Sequence, residues 1–288
     1  YQISKLTDDQ IQLVKNTKWH KIDQKNANLE TITVSIYETM GEIYNEFKLG
    51  NIDMIHTTNE NVTEYIGSMG YGKKGYENRE YDYLAFNCED SILQYPEVRK
   101  AISLSLNQER ITASVLESKA TASYFSLPEG HYLLGDATFD KKTDVGEAKD
   151  ILQEAGWKYE YGIWQKEIEG RTRTLNFSLA VQKSDEKRVE VAKEIQTQLE
   201  NIGIKITIEQ ISDTTYQNYL KNHQYEILLT GVNTSLSPDL TSFLGKGNLA
   251  NYENEEIYEI LEELNNITEE SLQKEKYKRI LEIYSKEV

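Results

Sequence analysis

The stretch from Thr174 to Gly231 limits the possible folds more than any other part of the chain. Leu175, Phe177, Leu179 and Val181 alternate with more polar neighbours, the two-residue period of a strand. Ser184 is placed to cap a helix whose apolar stripe is Val189, Ala192, Ile195, Leu199 and Ile202, and Gly203 ends it. Ile204, Ile206 and Ile208 alternate as a second strand, Asp213 to Asn222 reads as a short helix, and Tyr225 to Thr230 as a third strand. Strand, helix, strand, helix, strand implies crossover connections, parallel pairing and an α/β fold. In such sheets ligands sit beyond the carboxyl ends of the strands.

Upstream, Ile32, Val34 and Ile36 alternate within Thr31–Tyr37 and predict a half-buried strand. A helix is expected from Met40 to Leu49, stopped by Gly50, then a strand over Ile52–Ile55 and a helix over Val62–Met69. Gly67 to Gly75 reads as a glycine-rich loop and Tyr81 to Phe86 as a strand. Pro96 suits a first helical position, with Val98, Ala101, Ile102, Ser105 and Leu106 as its stripe. Thr121 to Asp140 has no period and reads as a long loop, followed by a helix from Asp144 to Ala155 that Gly156 terminates. Two acidic helices, parted near Thr268, fill Glu253 to Glu287.

Several functions find no support. With 32 Lys+Arg against 48 Asp+Glu the net charge is −16, which disfavours nucleic acid and anionic membrane surfaces as partners. Cys88 is the single cysteine, so neither an internal disulfide nor a Cys-x-x-Cys pair exists. No apolar run approaches the roughly 20 residues of a membrane span. The chain opens on Tyr1-Gln2-Ile3, which is no natural start, so any targeting segment is expected to lie outside it. Gly70-Tyr71-Gly72-Lys73-Lys74-Gly75 matches a dinucleotide fingerprint by letter, but a helix precedes it and a strand follows, the reverse of the required order. His20, His56, His131 and His223 are scattered, Cys88 lacks a catalytic signature, and no G-x-S-x-G elbow is present. No convergent set of acid, base and nucleophile can be named, so an enzyme is not expected, nor is a cofactor or metal.

Tyr dominates the aromatics, 20 against 6 Phe and 3 Trp. It offers a stacking face with a hydroxyl, suited to recognising peptides or sugars as well as to a half-buried core. Gly231-Val232-Asn233-Thr234-Ser235-Leu236-Ser237-Pro238-Asp239 leaves the carboxyl end of the third strand, is uncharged until Asp239, and is rich in groups that hydrogen-bond amides. It reads either as a ligand loop or as a plain turn.

An ordered series of motifs is similar to that of the extracellular solute-binding proteins serving ABC importers of oligopeptides, dipeptides and nickel. Asn16-Thr17-Lys18-Trp19 resembles an N-x-x-W step, and Phe47 to Asp53 resembles F-x-x-G-x-I-D. Tyr83-Leu84-Ala85-Phe86-Asn87 with Pro96 to Ile102 resembles L-x-F-N followed by R-V-R-x-A-I, and Asn107 to Ile111 stands where D-R-x-x-I is common. Ala148 to Trp157 resembles A-K-x-L-L-x-E-A-G-W, Asn201 to Ile204 resembles L-x-x-I-G-I, and Asn251 to Asn254 resembles the N-x-x-x-Y-x-N pattern.

The resemblance implies a periplasmic-binding-protein-like II fold: mixed sheets flanked by helices in two lobes that close on a ligand without chemistry on it. It implies that the first lobe is incomplete here, with residues 1–84 its remaining part and 85–288 the second lobe. It implies an importer receptor for short peptides or a similar polar solute, located at the extracellular face of the membrane or in the periplasm. ABC permease subunits would be its partners, and any membrane attachment a lipid anchor outside this chain. The alternative is the ligand-sensing half of a transcription regulator. Oligopeptide binders carry Gly-Trp-x-x-Asp-Tyr-x-(D/E)-Pro; here Val232 replaces the Trp and Ser235 the Asp that pairs with the peptide amino terminus. A buried ammonium needs a charged partner, and Asp239 is the carboxylate available nearby. The expected ligand contacts are Asn233, Thr234, Ser235 and Asp239, with Tyr83, Asn87, Tyr124 and His131 in a second rank. Nickel carriage lacks a histidine cluster.

Overall fold

A computed structural model describes residues 1–21, 27–57, 62, 66–67, 70–76, 78–127, 130–134, 143–234 and 238–287. Contacts divide the chain into two units, Tyr1–Tyr76 and Glu77–Val288. The expected helix over Val62–Met69 lies mostly outside the described residues.

In the first unit β1 (Gln2–Leu6), β2 (Gln10–Val14) and β3 (Thr31–Ser35) form an antiparallel sheet in that order. The register sets Ile3 opposite Leu13, Leu6 opposite Ile11, and Ile11 and Leu13 opposite Val34 and Ile32. One face is therefore apolar, yet Ile3, Leu6, Val34 and Ile36 are 63%, 66%, 43% and 49% exposed. The strand expected at Thr31–Tyr37 is present, but its apolar side is open rather than half-buried, because among the described residues no helix packs across it as a second layer. Helix α1 (Met40–Lys48) starts in a capping box: Glu42 N donates to Thr39 Oγ1 (3.3 Å) while Thr39 N donates to Glu42 Oε2 (3.2 Å). The alternation at Ile52–Ile55 forms no strand. Four residues without a neighbouring strand to bond cannot make a ladder.

The second unit is built on a mixed sheet of order β4-β10-β8-β9. Its strands are β4 (Glu80–Phe86), β8 (Asn176–Gln182), β9 (Lys205–Ile211) and β10 (Ile227–Asn233). The three later strands are parallel, as their connections require, and β4 is antiparallel to β10. Alternation divides the strands between two faces. Phe86, Phe177, Leu179, Val181, Ile206, Ile227 and Leu229 pack with helix α5 (Glu186–Glu200) through Val189, Ala192, Ile195 and Leu199. Ala85, Ala180 and Leu228 face helix α6 (Asp213–Asn222) through Tyr216. Burying each large apolar side chain contributes about 1.5–3 kcal/mol. The cap of α5 is Asp185, whose carboxylate accepts from Arg188 N (3.0 Å), one residue later than expected. Ser184 instead donates to Asp213 Oδ1 (2.6 Å) and so ties the β8 turn to the start of α6.

Helices α2 (Pro96–Ser105), α3 (Gln108–Ser114) and α4 (Val145–Glu154) join the α5 side of the core. A meander of β5 (Lys158–Glu160), β6 (Ile163–Ile168) and β7 (Arg171–Thr174) inserts Trp164 there, its Nε1 donating to Ile202 O (2.8 Å). A separate cluster joins the described part of the loop 121–134 to α7 (Thr241–Leu244), α8 (Glu255–Leu264) and α9 (Glu270–Glu287).

Candidate functional site

The carboxyl end of β10 carries two of the expected contacts, Asn233 and Thr234. This strand is bonded on both sides, to β4 and to β8, and its last residues pair with the first of β4: Gly231 with Asp82, Val232 with Tyr81, Asn233 with Glu80. Beneath that end lies an ion-pair network centred on Arg188 of α5. Its Nη2 is 2.7 Å from Asp82 Oδ1 and 3.3 Å from Glu80 Oε1, and its Nη1 is 3.1 Å from Asp185 Oδ2. Burial opposes the Arg188 charge, but the hydrogen bond to Asp82 and the charges of Asp82 and Asp185 outweigh it and hold its pKa above the ordinary guanidinium value.

Of the expected contacts, Asn233 is exposed as the last residue of β10, and Thr234 follows half-buried. Thr234 N donates to Arg79 O (2.8 Å), as does its hydroxyl (3.1 Å), which extends the β10–β4 pairing one step past the strand. Ser235 lies outside the described residues. Asp239 is exposed, and its Oδ1 accepts from Thr241 N (2.9 Å) and Thr241 Oγ1 (2.6 Å), fixing the entry to α7. Beside it, Tyr277 OH donates to Pro238 O, and burial, with Asp239 and Tyr132 nearby, pushes the Tyr277 phenol up to about 12.

Tyr83 sits mid-strand in β4, opposite Thr230. Asn87 stands just past the other end of β4, about 23 Å from Glu80 at about 3.3 Å per residue. Its amide is engaged there, donating to Tyr225 O (3.0 Å) and accepting from Asn251 Nδ2 (3.0 Å). Tyr124 OH donates to Glu109 Oε1 (2.5 Å), and burial with that carboxylate raises its pKa. His131 Nδ1 accepts from Leu133 N (3.3 Å), and desolvation lowers its pKa. Asn233 and Thr234 thus stand at one end of the β4–β10 pair and Tyr83 at its middle, whereas Asn87 lies at the opposite end and Tyr124 bonds to α3.

Two further aromatics belong with Tyr83. The Tyr81 ring stacks on it at 5.7 Å and 18°, and Phe243 of α7 meets both edge-on at 5.8 and 5.4 Å. The two-residue period of Tyr81-Asp82-Tyr83 was the signal for Tyr81; nothing local points to Phe243. A shallow open hollow lined by Gln182, Ser184, Asp185, Glu186 and Lys187 lies at the end of β8. Among the described residues no group of three or more His, Cys, Asp or Glu could hold a metal ion, and no helix is long and apolar enough to cross a membrane.

The family model of bacterial extracellular solute-binding proteins, family 5 (middle region), matches residues 1–252. Oligopeptide-binding protein AppA of Bacillus subtilis is 25% identical over 215 residues, 69% of this chain and 38% of AppA. Its structure in complex with a nonapeptide superimposes with a TM-score of 0.70 at 17% identity, over 99% of this chain and 58% of that one. The unliganded open form of MppA, a periplasmic murein tripeptide binding protein, gives 0.79 at 14%, over 98% and 54%. NikZ of Campylobacter jejuni, in complex with Ni(L-His), gives 0.69 at 19%, over 100% and 59%. The chain therefore spans little more than half the length of these solved structures and 38% of AppA. At these identities the structural likenesses bear on fold alone, an α/β fold of the periplasmic-binding-protein kind. The transcription-regulator alternative takes no support from any of them.

Proposed function

Since the chain belongs to the bacterial extracellular solute-binding proteins of family 5, we propose that it is part of the receptor of an ABC importer, working outside the cytoplasmic membrane on short peptides or a similar polar solute. The observation that carries this reading is the family match over residues 1–252. It is supported by the exposed Asn233 and the half-buried Thr234, presented at the carboxyl end of a central strand where α/β sheets bind ligands. Asn233, Thr234, Ser235, Asp239 and Tyr83 are the contacts we assign to the ligand. Asn87 and Tyr124 remain in the second rank, since both have structural partners, and His131 stays with them. Residues 1–84 are assigned to the first lobe and 85–288 to the second. Recognition rests on hydrogen bonds to the ligand backbone and on aromatic packing, with no bond made or broken, and ABC permease subunits are the partners.

Native mass spectrometry of the protein purified without denaturation tests this. A ladder of added masses that match short peptides, or saturable uptake of tri-alanine, is expected. A bare protein that also takes up no added di- to pentapeptide would overturn the peptide reading.

A further inference from the structure

Tyr81 and Tyr83 point from β4 to the α6 side of the sheet, the side of Ala85 and Leu228. Their rings are half-buried and stacked, and Phe243 closes one edge. Neither hydroxyl has a hydrogen-bond partner among the described residues. Burial pushes the Tyr83 phenol up to about 12 and the Tyr81 phenol further, so both stay protonated donors. The groups across the ladder offer these rings no polar company. Val232 is apolar, and the Thr230 hydroxyl is occupied by Tyr216 OH at 2.5 Å, deep in the core. A sugar ring stacked here would find mainly phenol oxygens for its several hydroxyls, whereas an apolar residue needs no polar partner.

We propose that Tyr81, Tyr83 and Phe243 form a side-chain subsite for an aromatic or large apolar residue of a bound peptide, with the two tyrosine hydroxyls donating to flanking peptide carbonyls. The inference rests on the peptide reading above. It adds a specificity that the motifs do not carry: the subsite begins one pair below Asn233 and selects by apolar contact where the usual acidic anchor is missing.

Calorimetry on the full chain with two probes, tri-alanine and alanyl-phenylalanyl-alanine, decides the matter. The wild type is expected to bind the phenylalanine peptide about tenfold more tightly. Tyr83→Ala and Phe243→Ala should abolish that preference, and Tyr83→Ala should also weaken tri-alanine by about fivefold through the lost hydroxyl. Tyr83→Phe, which keeps the ring, should weaken both peptides by about fivefold and leave their ratio unchanged. Equal affinities in the wild type, or a preference that survives Tyr83→Ala, would overturn the subsite while leaving the peptide reading standing. If neither peptide binds, both fall. Tyr83→Phe removes one hydroxyl from a packed ring and serves where the alanine variants do not fold.

Discussion

Arg188 and Asp82 meet at 2.7 Å across the backbone of Gly231, so the ion pair that fastens α5 to β4 passes over the strand lying between them. A Cβ on Gly231 would clash with both Asp82 Oδ1 and Arg188 Nη2. The glycine is needed for close approach and not for backbone conformation, since its φ is not positive.

Gly231→Ala should therefore cost about 1–3 kcal/mol, by driving the Arg188 guanidinium from its carboxylates while it stays largely buried. Urea unfolding measures this. Gly72→Ala, where an added Cβ meets nothing within 4 Å, should change stability by less than about 0.5 kcal/mol. Equal effects at the two positions would remove the steric account.

Arg99 is 3% exposed and spends its hydrogen bonds on carbonyls: Nη1 donates to Leu93 O (2.8 Å) and Gln94 O (3.0 Å), and Nε to Glu287 O (3.1 Å). It ties the last turn of α9 to α2. Arg99→Met should lose about 2–4 kcal/mol by orphaning buried acceptors. Arg99→Lys should recover only part, because an ammonium cannot present the same fork. Hydrogen exchange should show the loss first in the last turn of α9.

Desolvation lowers the His131 pKa below 6.5. The unfolded chain then takes up the proton first as pH falls. His131 thus costs no stability above about pH 6.5 and progressively more below it, down to its folded-state value. His131→Asn keeps an acceptor for Leu133 N and does not titrate. The fall in Tm between pH 7.5 and 5.5 should shrink in this variant; an unchanged fall would assign the slope to other groups.

The open side of the β1–β3 sheet should bind an apolar dye such as ANS. Val34→Lys, at a residue 43% exposed, should reduce that fluorescence with less than about 0.5 kcal/mol change in stability. Undiminished fluorescence would place the dye elsewhere.

The sequence was legible where period, cap and stop agreed. Asp213 to Asn222 is helical over the expected span because Ser212 caps it and His223, at φ 53°, ends it. The β5–β7 meander went unread because its tight turns carry Tyr161-Gly162 and Glu169-Gly170. Tyr161 and Glu169 take φ of 55° and 51°, where Asn or Asp is the usual signal. Ser184 and Asp185 are both capping types, and only the backbone path decides between them. In the site, Asn233 and Thr234 could be found from strand order. Arg188 and Phe243 could not, since each reaches Asp82 or Tyr81 across more than a hundred residues of chain.

Because β10 is paired with β4 to its last residue, and Thr234 carries that pairing on to Arg79, the segment that launches the proposed ligand loop is anchored independently of what the loop contains. If that loop contacts the solute, as proposed, replacements after Thr234 alter which solute is chosen without disturbing the ladder below. On that reading ligand preference and foldability are separable, and a lineage could exchange one cargo for another while the sheet stayed as it was.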